Sequence, residues 1–595
     1  MNDLWTSLKQ RKLFQWGAAY LAGAWVATEV LDLLADRFYW SEWFVQAAVV
    51  ALAFGFLGVL TLAWYHGERG RQRISGGEFV ILVLIAAGAA LGIRSLPSAA
   101  ERLSGVGPQG ATTGPGELAL PALSAAAGLD FRSSRGSPRV AVLPFRNVMP
   151  DPEADAYLVE GLHDEITSQV SKVGALEVVA RSSALRFGER EDLSAQVVGD
   201  SLGARFLVEG SVRRAGDRLR VSVTLVDASA DRQLWSEVYD REATVAEIFD
   251  VQADIALNVA ESLEATLFAG ETERIRTRGT DSDAAYEAYL RGRQHVGGAW
   301  ANYPRMAELF QQAVDLDPDY AEAWSSLGLS HVALGNFFLA SPQEAFPRAR
   351  EAANRALALD STLAEAHSVL AWVHFAYDRD WAATERELQI AEALDPGLDG
   401  VFYLRAYLLQ ALGRFDEALV AANRMLELDP VGANSTLAAG RMLHMARRYE
   451  EALAVFRRAE RLNPEDSLGD EYSGITLAVM GRMEEAIPGL QSLLIGDRVP
   501  AAEVGRLTGA YETGGPDGVW RLWVELTEAV DPPRPGSVAM GYARQGRAAE
   551  AVEWLRRAAG VYDSWVFQLS DPLLDPVRGD PAFVDLLEGL GLPAS

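Results

Sequence analysis

Three Asp/Asn-Pro steps recur at one spacing late in the chain: the prolines of Asp395-Pro396, Asp429-Pro430 and Asn463-Pro464 lie 34 residues apart. That period excludes a single long helix. It suits a unit of two helices and two turns that buries its apolar face only against the next unit. The segments between the prolines keep phase. Gly413-Arg414-Phe415-Asp416-Glu417-Ala418 returns as Ala446-Arg447-Arg448-Tyr449-Glu450-Glu451-Ala452 and again as Gly481-Arg482-Met483-Glu484-Glu485-Ala486. Ala418, Ala452 and Ala486 share one repeat position, where a small residue lets the two helices of a hairpin approach closely. Proline then ends the second helix, because it has no N–H to donate and restricts the residue before it.

This pattern resembles the tetratricopeptide repeat (TPR), and the resemblance implies an all-α superhelical solenoid. Trp324, Leu327 and Gly328 sit on the first helix of an earlier unit, and Ala349, Ala353 and Ala356 on its second; about nine extra residues fall around Asn336 to Phe346. Phe310, Ala313 and Pro318 close a unit that begins near Tyr286. Regular repeats are expected over 283–497 and degenerate units over 498–595, with a polar-faced capping helix beginning near Asp580-Pro581.

The other end of the chain reads differently. Three apolar runs, 14–34, 43–65 and 78–96, are expected to be transmembrane helices. The second is uncharged and edged by Trp43, Trp64 and Tyr65, as interfacial aromatics should be. Glu29 and Asp32 lie within the first run, and a cleaved signal peptide is its alternative reading, although no small-residue cleavage site follows. Lys9, Arg11 and Lys12 precede the first run, and Arg69, Arg71 and Arg73 separate the second from the third. Counting positive charges puts the N-terminus in the cytoplasm, and three spans then send everything after residue 96 to the far side. Residues 97–138 are rich in Gly, Ala, Pro and Ser and read as a flexible tether.

From Arg139 the periodicity becomes that of an α/β domain, expected over 139–270. Val140 to Phe145 is a buried-type strand, and Tyr157, Leu158, Leu162, Ile166 and Val170 mark one face of a helix from about Ala154 to Lys172. Strands are expected at Leu176 to Ala180, Phe206 to Arg213, Leu219 to Val226 and Gln233 to Tyr239, with helices at Leu193 to Leu202 and Val245 to Leu267. Val140-Ala141-Val142-Leu143-Pro144-Phe145, Val208-Glu209-Gly210-Ser211-Val212-Arg213 and Leu234-Trp235-Ser236-Glu237-Val238-Tyr239-Asp240 resemble landmarks of the TolB amino-terminal-like domain. That domain often precedes TPR units in bacterial membrane proteins, whose N-terminal effector is a cyclase, a kinase or a DNA-binding domain. Here only apolar runs stand in that place, so the resemblance carries no catalytic activity over to this chain.

Catalytic patterns are missing from the sequence. It has no phosphate-cradling G-x-x-x-x-G-K-[ST], no G-x-S-x-G elbow and no H-E-x-x-H pair, and zero cysteines remove thiol and thiolate-metal chemistry. No catalytic, cofactor-binding or metal-ligating residue is assigned. His331, His367 and His374 read as packed or groove-lining side chains, and His163-Asp164-Glu165 as a solvated helix face. Asn434-Ser435-Thr436 matches a glycosylation acceptor but reads as a helix start. A net charge of −28 argues against nucleic acid as a partner.

The positive signal is the inner face of the solenoid. Repeat phase points Trp372, Phe375, Tyr403, Tyr407, Gln410, Asn434, Arg441, His444 and Glu471 inward. Aromatics beside Arg and Asn suit an extended peptide. For Trp372 and Phe375 interhelix core is the competing reading. The expectation is a non-catalytic scaffold in the bacterial inner membrane, its folded part periplasmic, holding a protein or peptide in the groove. The strand from Leu234 to Tyr239 offers a sheet edge for self-association. Two other readings stay open: a sensor subunit signalling across the membrane to a separate cyclase, kinase or regulator, and a hydrolase in the middle domain.

Overall fold

The computed structural model describes residues 137–593, apart from 150–155, 189–192, 269, 278, 297–299, 465–466 and 563–567. The three apolar runs and nearly all of the tether lie outside the described residues. Among the described residues no helix is long and apolar enough to cross a membrane.

The chain enters on β1 (Arg139–Val142), which pairs in parallel with β3 (Glu177–Val178) on one side and β4 (Phe206–Ala215) on the other. A short β2 (Arg146–Asn147) also lies along β4. From β4 the sheet continues antiparallel through β5 (Arg218–Asp227) to β6 (Arg232–Glu242), so β6 and β3 are the two edge strands in the order β3-β1-β4-β5-β6. Helices α1 (Ala156–Ser171), α2 (Ala195–Leu202) and α3 (Val245–Ser262) complete the layer. Alternation along β1 explains its unbroken apolar run. Val140 and Val142 face a core shared with α1 and α3, while Ala141 and Leu143 face a second core with Val198 and Leu202 of α2.

Hairpin pairs follow: α4 (Asp283–Arg293) with α5 (Tyr303–Leu316), α6 (Ala321–Asn336) with α7 (Pro342–Leu359), and α8 (Ala364–Val373) with α9 (Trp381–Leu394). The regular part continues with α10 (Asp399–Ala411) and α11 (Phe415–Leu428), α12 (Ala433–Met445) and α13 (Tyr449–Leu462), then α14 (Leu468–Val479) and α15 (Met483–Gly496). Ala418, Ala452 and Ala486 are all buried, as their shared position requires. Gly474 and Gly489 mark the tightest crossing, where a Cβ on Gly474 would stand 2.8 Å from the Gly489 backbone. From α5 to α13 each second helix ends on an acidic or amide cap: Asp317, Asp360, Asp395, Asp429 or Asn463. The 43-residue step from Asp317 to Asp360 holds the extra residues, and there the left-handed Phe338 and its neighbour Phe337 are exposed.

Beyond α15 the units lose regularity. Residues Arg506–Glu528 form α16, which is broken at Gly515, followed by α17 (Pro535–Arg544), α18 (Ala548–Gly560) and α19 (Pro581–Gly589). This end folds back along the array as well as covering it. Trp381 donates to the Leu590 carbonyl at 3.2 Å, and Leu592 shares a core with Ala411.

The α/β layer and the solenoid have one continuous core. Phe249 of α3 meets Tyr286 of α4 with ring centroids 5.0 Å apart, and Val431 and Leu462 complete the second core of the sheet. The seat is the row of turns that join one unit to the next. At Asp360 and Asp395 the carboxylate accepts from the backbone N–H two residues on, at 2.8 Å in each case. Asp429 differs: it is buried, and its Oδ1 accepts from Ser182 and Ser183 at 2.6 Å each, while Oδ2 accepts from Ser435. The Ala180 N–H donates to the Leu428 carbonyl at 2.7 Å beside it.

His163, Asp164 and Glu165 lie in this contact, which corrects the reading of them as a solvated face. All three are buried because α1 is covered on two sides, by the sheet and by α4. His163 Nε2 lies 2.9 Å from the Val142 carbonyl, and Asp164 pairs with Arg181 and Arg293. Burial works to raise the Asp164 carboxyl, but His163, Arg181 and Arg293 outweigh it and hold it below the usual carboxylate range.

Replacing Asp429 with Ala strands three hydroxyl donors and removes charge-assisted bonds across the seam. The expected loss is about 3 kcal/mol, read as a lowered thermal midpoint. Gly432→Ala should destabilise in the same direction, since a Cβ there would fall within the Asp429 carboxylate. A Gly432→Ala protein with wild-type stability would show that the carboxylate has room to move.

Candidate functional site

The first helices α8, α10, α12 and α14 present the inward residues. Spacing by four on α10 stacks Tyr403 under Tyr407, with centroids 4.8 Å apart and hydroxyls 3.2 Å apart. Trp372 approaches Tyr403 at 6.2 Å from α8. On α12, Arg441 occupies the position one repeat beyond Tyr407. Its NH1 donates to the Tyr407 hydroxyl at 2.6 Å, and its guanidinium lies 4.7 Å from the Tyr407 ring centroid and 4.8 Å from that of Tyr472. Trp372, Tyr403, Tyr407, Arg441 and Tyr472 therefore form one ladder across four units. Cation–π contact with two ring faces compensates a charge that is 7% exposed and whose Nε and NH2 meet no acceptor.

Tyr472 was missed by the repeat reading because it is 31 residues beyond Arg441, out of step with the period. Its packing on Phe456, at 5.7 Å, sets it in place. An aromatic four residues after Leu468 on the same helix face was the available signal.

The remaining inward residues divide by environment. Phe375 sits in the short π-helical turn His374–Asp378 that ends α8, where it is buried against Trp381 at 5.7 Å. Gln410 and His444 are buried beneath the returning C-terminal segment: Ser570 donates to the Gln410 carbonyl at 3.4 Å, and His444 Nε2 lies 3.5 Å from Asp571. Arg447 grips Asp575 with two bonds, at 2.5 and 2.9 Å. Glu471 is also buried and accepts from Ser467 at 2.8 Å. Asn434 is exposed on the first turn of α12, whose cap is Gly432 without a side-chain bond. Trp372, Tyr403 and Tyr472 remain half-buried and constitute the accessible part of the ladder.

Two of the solenoid histidines are held by carboxylates. His367 is engaged by Glu387 at 2.7 Å and His374 by Asp378 at 2.8 Å. Among the described residues no group of three His, Asp or Glu side chains is arranged to hold a metal ion. A cavity of about 350 Å³ opens at the hairpin turns, lined by 413–417 and 445–447, away from the ladder's exposed rings.

The family described as Tetratricopeptide repeat matches residues 403–467, the stretch that carries Tyr403, Tyr407, Gln410, Asn434, Arg441 and His444. The units within 403–467 are thus tetratricopeptide repeats. Over 202 residues, 34% of this chain and 33% of the relative, the chain is 36% identical to a protein of Rhizobium meliloti (strain 1021) named "Putative adenylate cyclase 3". The chain spans about a third of the length of that curated relative. Among solved structures it is similar to TTC0263, a thermophilic TPR protein of Thermus thermophilus, at 19% identity and a TM-score of 0.29, covering 33% of this chain and 100% of that one. It is also similar to YrrB, described as a TPR protein with an unusual peptide-binding site, at 19% identity and a TM-score of 0.21, covering 34% of this chain and 96% of that one.

The ladder separates structural from accessible positions, which stability measurements can resolve. Arg441→Ala removes two ring contacts and a bond to a buried hydroxyl and should cost about 3 kcal/mol, whereas exposed Asn434→Ala should stay within about 0.5 kcal/mol of wild type. Equal thermal midpoints for the two variants would contradict this division.

Proposed function

We propose that this protein is a non-catalytic, membrane-anchored scaffold that binds an extended peptide or protein segment along the half-buried ladder of Trp372, Tyr403 and Tyr472. The carrying observation is that these rings stay accessible on the first helices of three of four successive repeats while their neighbours, the buried Arg441 among them, are sealed. Flat aromatic faces supply apolar contact at low entropic cost. In this reading the three apolar runs anchor the chain in the bacterial inner membrane and the folded part is periplasmic. The α/β layer, similar in its strand motifs to the TolB amino-terminal-like domain, braces the solenoid from one edge.

Selection of peptides from a random library by the full chain should yield a consensus. Trp372→Ala/Tyr403→Ala should weaken binding of that consensus at least about tenfold while leaving the circular dichroism spectrum intact. Failure to select any consensus, or unchanged affinity in the variant, would overturn the proposed site. Reporter fusions at Phe38, Gln72 and Ser137 should read outside, inside and outside; a cytoplasmic signal at Ser137 would move the solenoid to the other side.

The match to a relative named as an adenylate cyclase favours a second reading, in which the same modules sense a ligand and regulate a cyclase on a separate chain. Under it the purified chain forms no cyclic nucleotide by itself but changes the rate of a co-purified cyclase. Cyclic nucleotide formed by the chain alone would replace both readings with an enzymatic one.

A further inference from the structure

One part of the contact between the α/β layer and the solenoid gathers carboxylates away from the arginines that pair with Asp164, Glu177 and Glu427 elsewhere in it. Glu322 and Glu365 lie in the first turns of α6 and α8, Asp399 opens α10, and Asp395 caps the helix before it. Facing them from α1 and its end are Glu165 and Lys172, the sole lysine among the described residues. Glu165 is 8% exposed and accepts from the Tyr289 hydroxyl at 3.1 Å. Asp395 and Asp399 accept from the turn amides of Gly397 and Gly400, at 2.8 and 2.9 Å. Among the described residues none of these three carboxylates has an arginine, lysine or histidine within ion-pair reach, whereas Asp164 and Glu365 take Arg293.

We propose that this seam is a pH-responsive joint, in which Glu165, Asp395 and Asp399 bind protons as the medium is acidified and so tighten the docking of the α/β layer onto the solenoid. The groups around each site agree in direction. Burial is the largest influence on Glu165 and outweighs Arg293, so that with Glu322 nearby its carboxyl is pushed up to about 7. Burial likewise pushes Asp395 up to about 6, with Glu365 adding to the shift and Lys172 and Arg274 opposing it. Asp399 is pushed up to about 7 by burial and then by Asp429 and Asp395. A carboxyl whose folded value lies above its unfolded one contributes stability that is full below the unfolded value and lost as pH rises through the folded value. The seam should therefore be tightest below about pH 4 and loosen progressively between about pH 4 and 7. His331 works the other way: burial and Arg348 hold it down to about 4, so acidification disfavours its folded environment. It lies on α6 facing Arg348 of α7, and a comparison of variants cancels its effect.

The test uses the full chain at about pH 7.5 and 5.5, with thermal unfolding and hydrogen exchange at Ala180, whose amide bridges the seam to Leu428. Wild type should show a larger protection factor at Ala180, the observed exchange being divided by the base-catalysed intrinsic rate at each pH, and a midpoint higher by about 3 °C at the lower pH. The isosteric variant Glu165→Gln/Asp395→Asn/Asp399→Asn should show both properties already at the higher pH and little further change. Asparagine is suited to the Asp395 position because Asn463 caps an equivalent helix. A protection factor at Ala180 that is equal or smaller at the lower pH, or a variant that keeps the full pH dependence, would overturn the joint. A variant that fails to fold would also overturn it, since the three charges would then be stabilising.

Discussion

A buried carboxylate has to be satisfied, and Asp429 is satisfied from two modules at once. Ser182 and Ser183 reach it from the α/β layer, Ser435 from the following solenoid helix. Because a desolvated carboxylate is costly unless its oxygens accept bonds, the turn and the edge of the sheet cannot be positioned independently. Around that point the Ala180 amide joins the Leu428 carbonyl, and Arg424 bridges Glu177 to Glu427. Val431 and Leu462 complete a core beneath the sheet. The layer is therefore seated on a row of inter-unit turns rather than hung from the first repeat alone.

That seat has a consequence for the inner face. The start of the first helices is covered by α1, and the far ends of α10 and α12 are covered by the segment around Ser570 to Asp575. Both coverings come from parts of the chain remote in sequence from the repeats they touch. Between them the ladder from Trp372 to Tyr472 keeps partial access to solvent, and its buried arginine is held by ring faces instead of by an acid. Recognition is thereby confined to a short stretch of a long array.

Much of the architecture was legible in the residues. The period located the hairpins, the shared alanines and the insertion before Asp360, since each depends on spacing along a single helix pair. The parallel strand Val140 to Val142 and the meander from Phe206 to Glu242 could be read from alternation and turn chemistry. The candidate site was only partly legible. Repeat phase brought Trp372, Tyr403, Tyr407 and Arg441 to one surface. It could not foresee that Gln410 and His444 would be roofed by Ser570 and Asp571, which lie far along the chain. His163-Asp164-Glu165 looked solvated because helical periodicity treats a polar face as an exposed one. The opposing helix α4, with Arg293 and Tyr289 to answer those charges, lies beyond such a test.

The sequence by itself determined the units: hairpins whose regular part carries a proline stop at 34-residue spacing from Pro396 to Pro464, a small α/β layer ahead of them, and an inward row of aromatics and arginine. Local spacing suffices for these because helix phase, strand alternation and proline stops act over a few residues. Only the tertiary structure decided which inward residues stay accessible, which turn aspartate becomes a buried clasp, and where unpaired carboxylates accumulate. Those outcomes depend on burial and desolvation, which arise only when segments far apart in the chain exclude water from one another.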